Sequence, residues 1–193
     1  MQNHNVTANA RPELAPFEAK QVIDFWVDAG HALWFAKNAE FDRRFRARFL
    51  SLHETAARCE LGDWTRTASG SLALVLLLDQ FPRNAFRGTP RMYETDAMAR
   101  VIAHQAIEAG HDHAVAEDLR VFFYLPFGHS EHLADQERAV FFTARLGAPH
   151  SAHAQRHRDI VRRFGRFPHR NPILGRPMTP SEQEYLDAGG YAG

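Results

Sequence analysis

The seven residues Leu72-Ala73-Leu74-Val75-Leu76-Leu77-Leu78 are apolar on every face. Such a segment has no polar side to present to water, so it must lie at the centre of a fold with other elements packed around it. A buried strand would favour β-branched residues; here leucine dominates and the neighbouring segments read as helices, so this run reads as helix. It is far too short for the roughly 18–20 residues that cross a bilayer. The remaining chain supplies the surrounding faces. After Asn38, a candidate cap, Phe41, Phe45, Phe49, Leu52, Ala56 and Cys59 recur every three or four residues. Arg43, Arg44, Arg46 and Arg48 fill the opposite side, and Gly62 is the expected stop. Further helices are expected from Pro16, at the first helical position, to Gly30, and from Thr95 to Gly110. Another should end before Pro126, and one capped by Ser130 should stop at Gly147. The last two place His157, Ile160, Val161 and Phe164 on one face before Gly165, and open on the capping box Thr179-Pro180-Ser181-Glu182. Clear period-two alternation is absent. The expected fold is all-α, with about eight helices.

A chain of 193 residues corresponds to one domain of ordinary size. It is read as a disordered polar arm over 1–15 and a single helical domain over 16–193. Apolar residues at 45% and charged residues at 24% are those of a globular protein. Cys59 is the lone cysteine, cannot bridge internally, and reads as core packing. The first residues lack the basic-then-apolar pattern of an export signal, so a cytoplasmic protein without membrane association is expected.

The formal charge of zero hides a segregation. Before residue 139 there are 15 basic and 19 acidic residues; from Ala139 to Arg176 there are eight arginines and one acid, Asp159; the tail from Pro177 carries three acids. Of 23 basic residues 21 are arginine, the cation whose planar fork suits carboxylate and phosphate. Zero net charge and the lack of a recognised motif argue against nucleic acid as a partner.

Three proline junctions organise the pattern: Phe81-Pro82-Arg83-Asn84, Leu125-Pro126-Phe127 and Phe167-Pro168-His169-Arg170-Asn171. Each follows an apolar helix. The prolines are 44 and 42 residues apart, and a helix pair with its turns takes about 34–47 residues in helical-repeat architectures. Stacked antiparallel pairs would bring the three junctions to one edge.

At the first junction Asp79 stands where the helix dipole disfavours an anion, which calls for a cation or a function. Arg83 and Arg87 are the nearest cations, with Gln80 and Asn84 as neutral hydrogen-bonding groups. One reading makes Asp79 a buried anchor for an arginine; another has it orient a ligand or take part in catalysis. At the third junction Arg166, Arg170 and Arg176, with His169 and Asn171, form a shaped basic loop that could hold an anion or anchor itself through ion pairs. At the second, His129 and Tyr124 are hydrogen-bonding candidates. His157 on an apolar face reads first as a satisfied core histidine and second as a ligand group. His129 and His132 have no zinc-type pattern, so neither a metal nor a cofactor is expected. Walker, GxGxxG and GxSxG signatures are absent.

The strings Leu77-Leu78-Asp79-Gln80-Phe81-Pro82-Arg83-Asn84 with Phe86-Arg87-Gly88, Phe123-Tyr124-Leu125-Pro126-Phe127 with His129-Ser130-Glu131, and His157-Arg158-Asp159-Ile160 to Arg166-Phe167-Pro168-His169-Arg170-Asn171 resemble the uncharacterised bacterial family catalogued as domain of unknown function 924. Phe25-Trp26, Trp34-Phe35 and Phe41-Asp42 fit as well. The likeness runs from about Ala19 to Leu186, with Gly128 standing where that family more often carries a bulkier residue. It implies a tetratricopeptide-like superhelix and brings no activity. The residues themselves point to a pocket for a small phosphate- or carboxylate-bearing ligand. Arg83, Arg87, Arg166 and Arg170 would hold it, and Asp79, His129 or His169 would orient it or move protons. The alternative is a peptide- or protein-binding module exposing Trp26, Trp34, Phe35 and Tyr93.

Overall fold

Apolar stripes and caps place most helices where the sequence expects them. The computed structural model describes residues 16–193; the arm over 1–15 lies outside them. Pro16 is the N-cap of α1 (Phe17–Ala29) rather than its first helical residue. A single turn, α2 (His31–Trp34), follows. Asn38 caps α3 (Ala39–Ala57), its side chain accepting from the Phe41 N–H at 2.9 Å. The apolar run forms α4 (Ala68–Val75), passes through a π-turn (Leu76–Gln80) and continues as α5 (Phe81–Ala85). Then come α6 (Asp96–Glu108), α7 (Val121–Gly128), α8 (Leu133–Thr143), α9 (His150–Phe164) and α10 (Pro180–Asp187). Gly165, at φ 72°, ends α9 in the left-handed conformation that glycine adopts without strain. The Thr179–Glu182 capping box closes as expected. Among the described residues there is no strand: the protein is all-α.

Four local expectations are corrected. Pro82 and Pro126 lie inside helices rather than ending them. The fifth helical segment therefore runs on to Gly128. Leu133 opens α8 with His132 at the N-cap, while Ser130 Oγ accepts from the His132 N–H and donates to Asp135. Cys59 is exposed, because α3 stops at Ala57 and the chain turns through Cys59 at φ 61° before its side chain can reach the core.

The α4–α5 helix lies at the centre, with α1 and α6 packed on α4 and α3 on α5. From there α6, α7, α8 and α9 each pack on the next. Successive pairing thus describes the second half, whereas the first half wraps a buried axis. Phe25, Trp26, Phe41, Phe45, Phe49, Phe81 and Phe122 mesh there, with neighbouring ring centroids 5.1–5.8 Å apart. Offset and edge-on geometries of this kind add to the energy of burial. Of the aromatics expected to be exposed, Trp26 and Trp34 are buried and Tyr93 is partly covered; Phe35 alone of the four is exposed. No helix among the described residues is long and apolar enough to cross a membrane.

Candidate functional site

A proline within a helix removes one N–H, and here the loss is absorbed by a π-turn. The Phe81 N–H reaches back to Leu76 O, five residues away, and Pro82 has no N–H to offer Leu77 or Leu78. Side chains supply what the backbone lacks. His53 Nδ1 donates to Leu77 O at 2.9 Å and Thr95 Oγ1 to Leu78 O at 2.5 Å. Arg83 Nη1 serves Asp79 O and Asn84 Nδ2 serves Gln80 O, both at 2.8 Å. The widened turn carries Asp79, whose side chain is wholly buried. Asp79 therefore lies inside a continuing helix, and burial rather than a helix terminus is what makes its charge expensive.

That cost is offset on both carboxylate oxygens. Asp79 Oδ1 accepts from His129 Nδ1 at 2.8 Å and sits 3.1 Å from Arg83 Nη1; Oδ2 accepts from Gln80 Nε2 at 2.6 Å. Burial works to raise the Asp79 pKa, but the Arg83 charge, then His129 and the hydrogen bonds, outweigh it and hold the carboxyl at about 2. His129 is lowered, first by burial and next by Arg83, with Asp79 pulling the other way. Both directions describe an ionised carboxylate beside a neutral imidazole. A carboxylate can only accept, so Nδ1 carries the proton and Nε2 keeps its lone pair. Nε2 has no partner among the described residues, and His129 lines a cavity of about 690 Å³.

The three proline junctions converge here. Asp79 and His129 join the first two. The backbone N–H of Phe167 donates to Glu131 Oε1 at 2.8 Å, joining the second to the third. Arg83 holds Asp96 through both oxygens, at 2.8 and 2.9 Å, and Arg170 lies 3.9 Å from the same carboxylate. Asp96 is thus the hub between the first junction and the third.

The sequence-predicted residues divide between the cavity and the frame behind it. Gln80, Arg83, Asn84, Arg87, Tyr124, His129 and His157 line the cavity. Arg87 holds Asp42 at 3.0 and 3.2 Å and Asn84 Oδ1 at 3.2 Å through Nε and Nη2, leaving Nη1. The Tyr124 hydroxyl donates to Asp112 at 2.7 Å, and burial together with that bond pushes its pKa up. His157 donates from Nδ1 to Gly128 O at 3.0 Å; burial, then His153 and His129, drive its pKa down to about 2. Its Nε2 is buried with no partner among the described residues.

Arg166, Arg170, His169 and Asn171 are not in the lining. Arg166 grips the buried Glu182 at 2.6 and 2.8 Å and also bonds Pro177 O. Arg170 is sandwiched by Tyr93 and Phe167, 4.7 and 4.5 Å from their ring centroids. Asn171 accepts from Arg176 and donates to Met178 Sδ. His169 packs behind Tyr191, which faces the cavity, and burial followed by Arg170 lowers its pKa to about 4. Arg166 and Arg176 thus anchor the loop through ion pairs, while Arg170 Nε is buried with no hydrogen-bond partner among the described residues.

Sequence reasoning does not reach Lys37, His150 and His153, which also line the cavity. His150, His153 and His157 are spaced by three and four, and that helix-face period was the available signal. Lys37, in the turn after α2, offered none. Among the described residues no three His, Cys, Asp or Glu side chains gather as a metal-ligand set.

The family profile of a bacterial protein of unknown function, DUF924, matches residues 22–190. The chain belongs to the DUF924 family. The match covers the α4–α5 helix, both ends of the Asp79–His129 contact and the cavity walls of this DUF924 protein apart from Tyr191 and Gly193. A solved structure of a protein of unknown function from Agrobacterium tumefaciens is similar at 57% identity, covering 89% of this chain and 98% of that one, with a TM-score of 0.88. A search of curated proteins finds no match.

Proposed function

We propose that the cavity binds a small molecule bearing a carboxylate or phosphate, and that Asp79 and His129 act on it as a general-base pair. The observation that carries this reading is the 2.8 Å contact between a wholly buried, ionised Asp79 and Nδ1 of a cavity-lining histidine. The carboxylate fixes the imidazole ring and its tautomer, so Nε2 is presented as an acceptor to whatever occupies the cavity. A positioned base of this kind contributes about 10²–10⁴-fold to a proton transfer. Arg87 Nη1 and the exposed Lys37, whose Nζ now donates to Gly193 O at 2.9 Å, are the cations at hand for the ligand's charge. Asp79 positions the base, and His129 Nε2 is the atom that takes the proton.

A thermal-shift panel of small carboxylates and phosphate esters tests this. A true ligand at a hundred times its Kd should stabilise the fold by about 2.7 kcal/mol. Arg87→Ala should weaken that response, and His129→Gln should leave it while abolishing any turnover found. No stabilisation by any member of the panel would sink the reading.

A further inference from the structure

The cavity wall changes character along α7. Val121 and Leu125 are one helical turn apart on the lining, and His129 follows one turn later, so the wall passes from apolar to basic over about 12 Å. On the neighbouring elements the end near Phe35 mixes aromatic rings with His31 and His150. Near the start of α7, exposed Phe35 stacks on Phe122 with centroids 6.0 Å apart and lies 6.0 Å from the His150 ring. Ala154 of α9 adds to the apolar lining. At the other end Gln80 stands beside the Asp79–His129 contact.

From this polarity we infer that the ligand is an amphiphile: a carboxylate or phosphate head held by Arg87, on the side of the cavity where Gln80 and Asn84 stand, joined to a straight acyl or similar apolar body lying along α7 toward Phe35. The inference rests on the reading above and names its substrate class. A short polar metabolite would leave Leu125 and Phe35 facing water, whereas a chain of several carbons would cover them.

Saturated straight-chain carboxylates from acetate to decanoate are the probes, titrated against the full chain by calorimetry. Each methylene buried should tighten binding about fourfold, so octanoate should exceed butanoate on the order of 100-fold before the gain levels off. Because Phe35 is already 55% exposed, Phe35→Ser should fold normally. It should weaken octanoate about fivefold and butanoate less than twofold. Ala154→Leu, which fills the apolar end, should shorten the preferred chain by two or three carbons. Equal affinity along the series, or a Phe35→Ser effect independent of chain length, overturns the amphiphile while leaving anion binding intact. If none of the carboxylates binds, nor any phosphate ester of the earlier panel, both readings fall.

Discussion

The basic loop of residues 166–176 and the histidine-lined wall of the cavity make opposite use of their charge. The loop holds three arginines. Arg166 is bound to Glu182, Arg176 to Glu131 at 2.6 and 2.9 Å, and Arg170 is packed between two aromatic rings. The donors of Arg166 and Arg176 tie the third junction to α10 and to the turn after α7. The wall carries little formal charge, yet His129 Nε2 and the His153 ring have no hydrogen bond or ion pair among the described residues. An arginine already facing a carboxylate is largely neutralised and desolvated, so it has little left for a ligand. Availability, rather than density of charge, is what the proposed binding wall has and the structural anchor lacks.

Four experiments probe that contrast, in descending size of effect. Asp79→Ala removes the carboxylate shared by both roles. It leaves Arg83 with Asp96 alone and His129 unheld, and chemical denaturation should register a loss of about 3–5 kcal/mol. A loss below 1 kcal/mol would mean the buried contact is not organising the three junctions.

Glu131→Gln addresses the anchor alone. Glu131 accepts from the Phe167 N–H and from Arg176, and losing its charge should cost about 1.5–3 kcal/mol. Ligand-induced stabilisation, measured from each protein's own melting point, should be unchanged. If it disappears, loop and cavity are not separable.

Acidification addresses the wall. Unfolded His157 takes up a proton below about pH 6.5, whereas folded His157 is held neutral down to about pH 2. The unfolded state therefore gains as pH falls, and this residue alone should remove about 1.4 kcal/mol of stability per pH unit below 6.5. His153 and His169, lowered first by burial, act in the same direction. Urea melts at pH 7.0 and 5.5 should show the drop, and His157→Gln should flatten the slope. A slope that survives the substitution would assign it to the other histidines.

Gly128→Ala is the smallest test. A Cβ there would meet Ala139 Cβ at 3.7 Å and His157 Nδ1 at 4.0 Å, which is ordinary contact. Replacing a helical glycine should then stabilise the fold by up to about 1 kcal/mol while narrowing the cavity beside His157. Destabilisation would show that this wall is tighter than its geometry.

Local physics made much of the fold legible. Asn38, Thr179 and Gly165 are caps whose chemistry is complete within a few residues, and the apolar period of α3 marked its buried face. The all-apolar Leu72–Leu78 run had to be central because no polar side existed to expose. The site was legible in part: Asp79 drew notice because it broke a local rule, His129 as a hydrogen-bonding group at the second junction, and the junctions were expected to share one edge. What stayed hidden depended on partners far along the chain. The π-turn needs His53 and Thr95 to replace backbone donors that Pro82 cannot supply, so Pro82 looked like a helix end. Arg166 and Arg176 looked available because Glu182 and Glu131 lie 16 and 45 residues away. Periodicity and capping are short-range properties written in neighbouring side chains. Which charges cancel and which imidazoles stay unpaired depends on helix packing, and only the tertiary structure decided it.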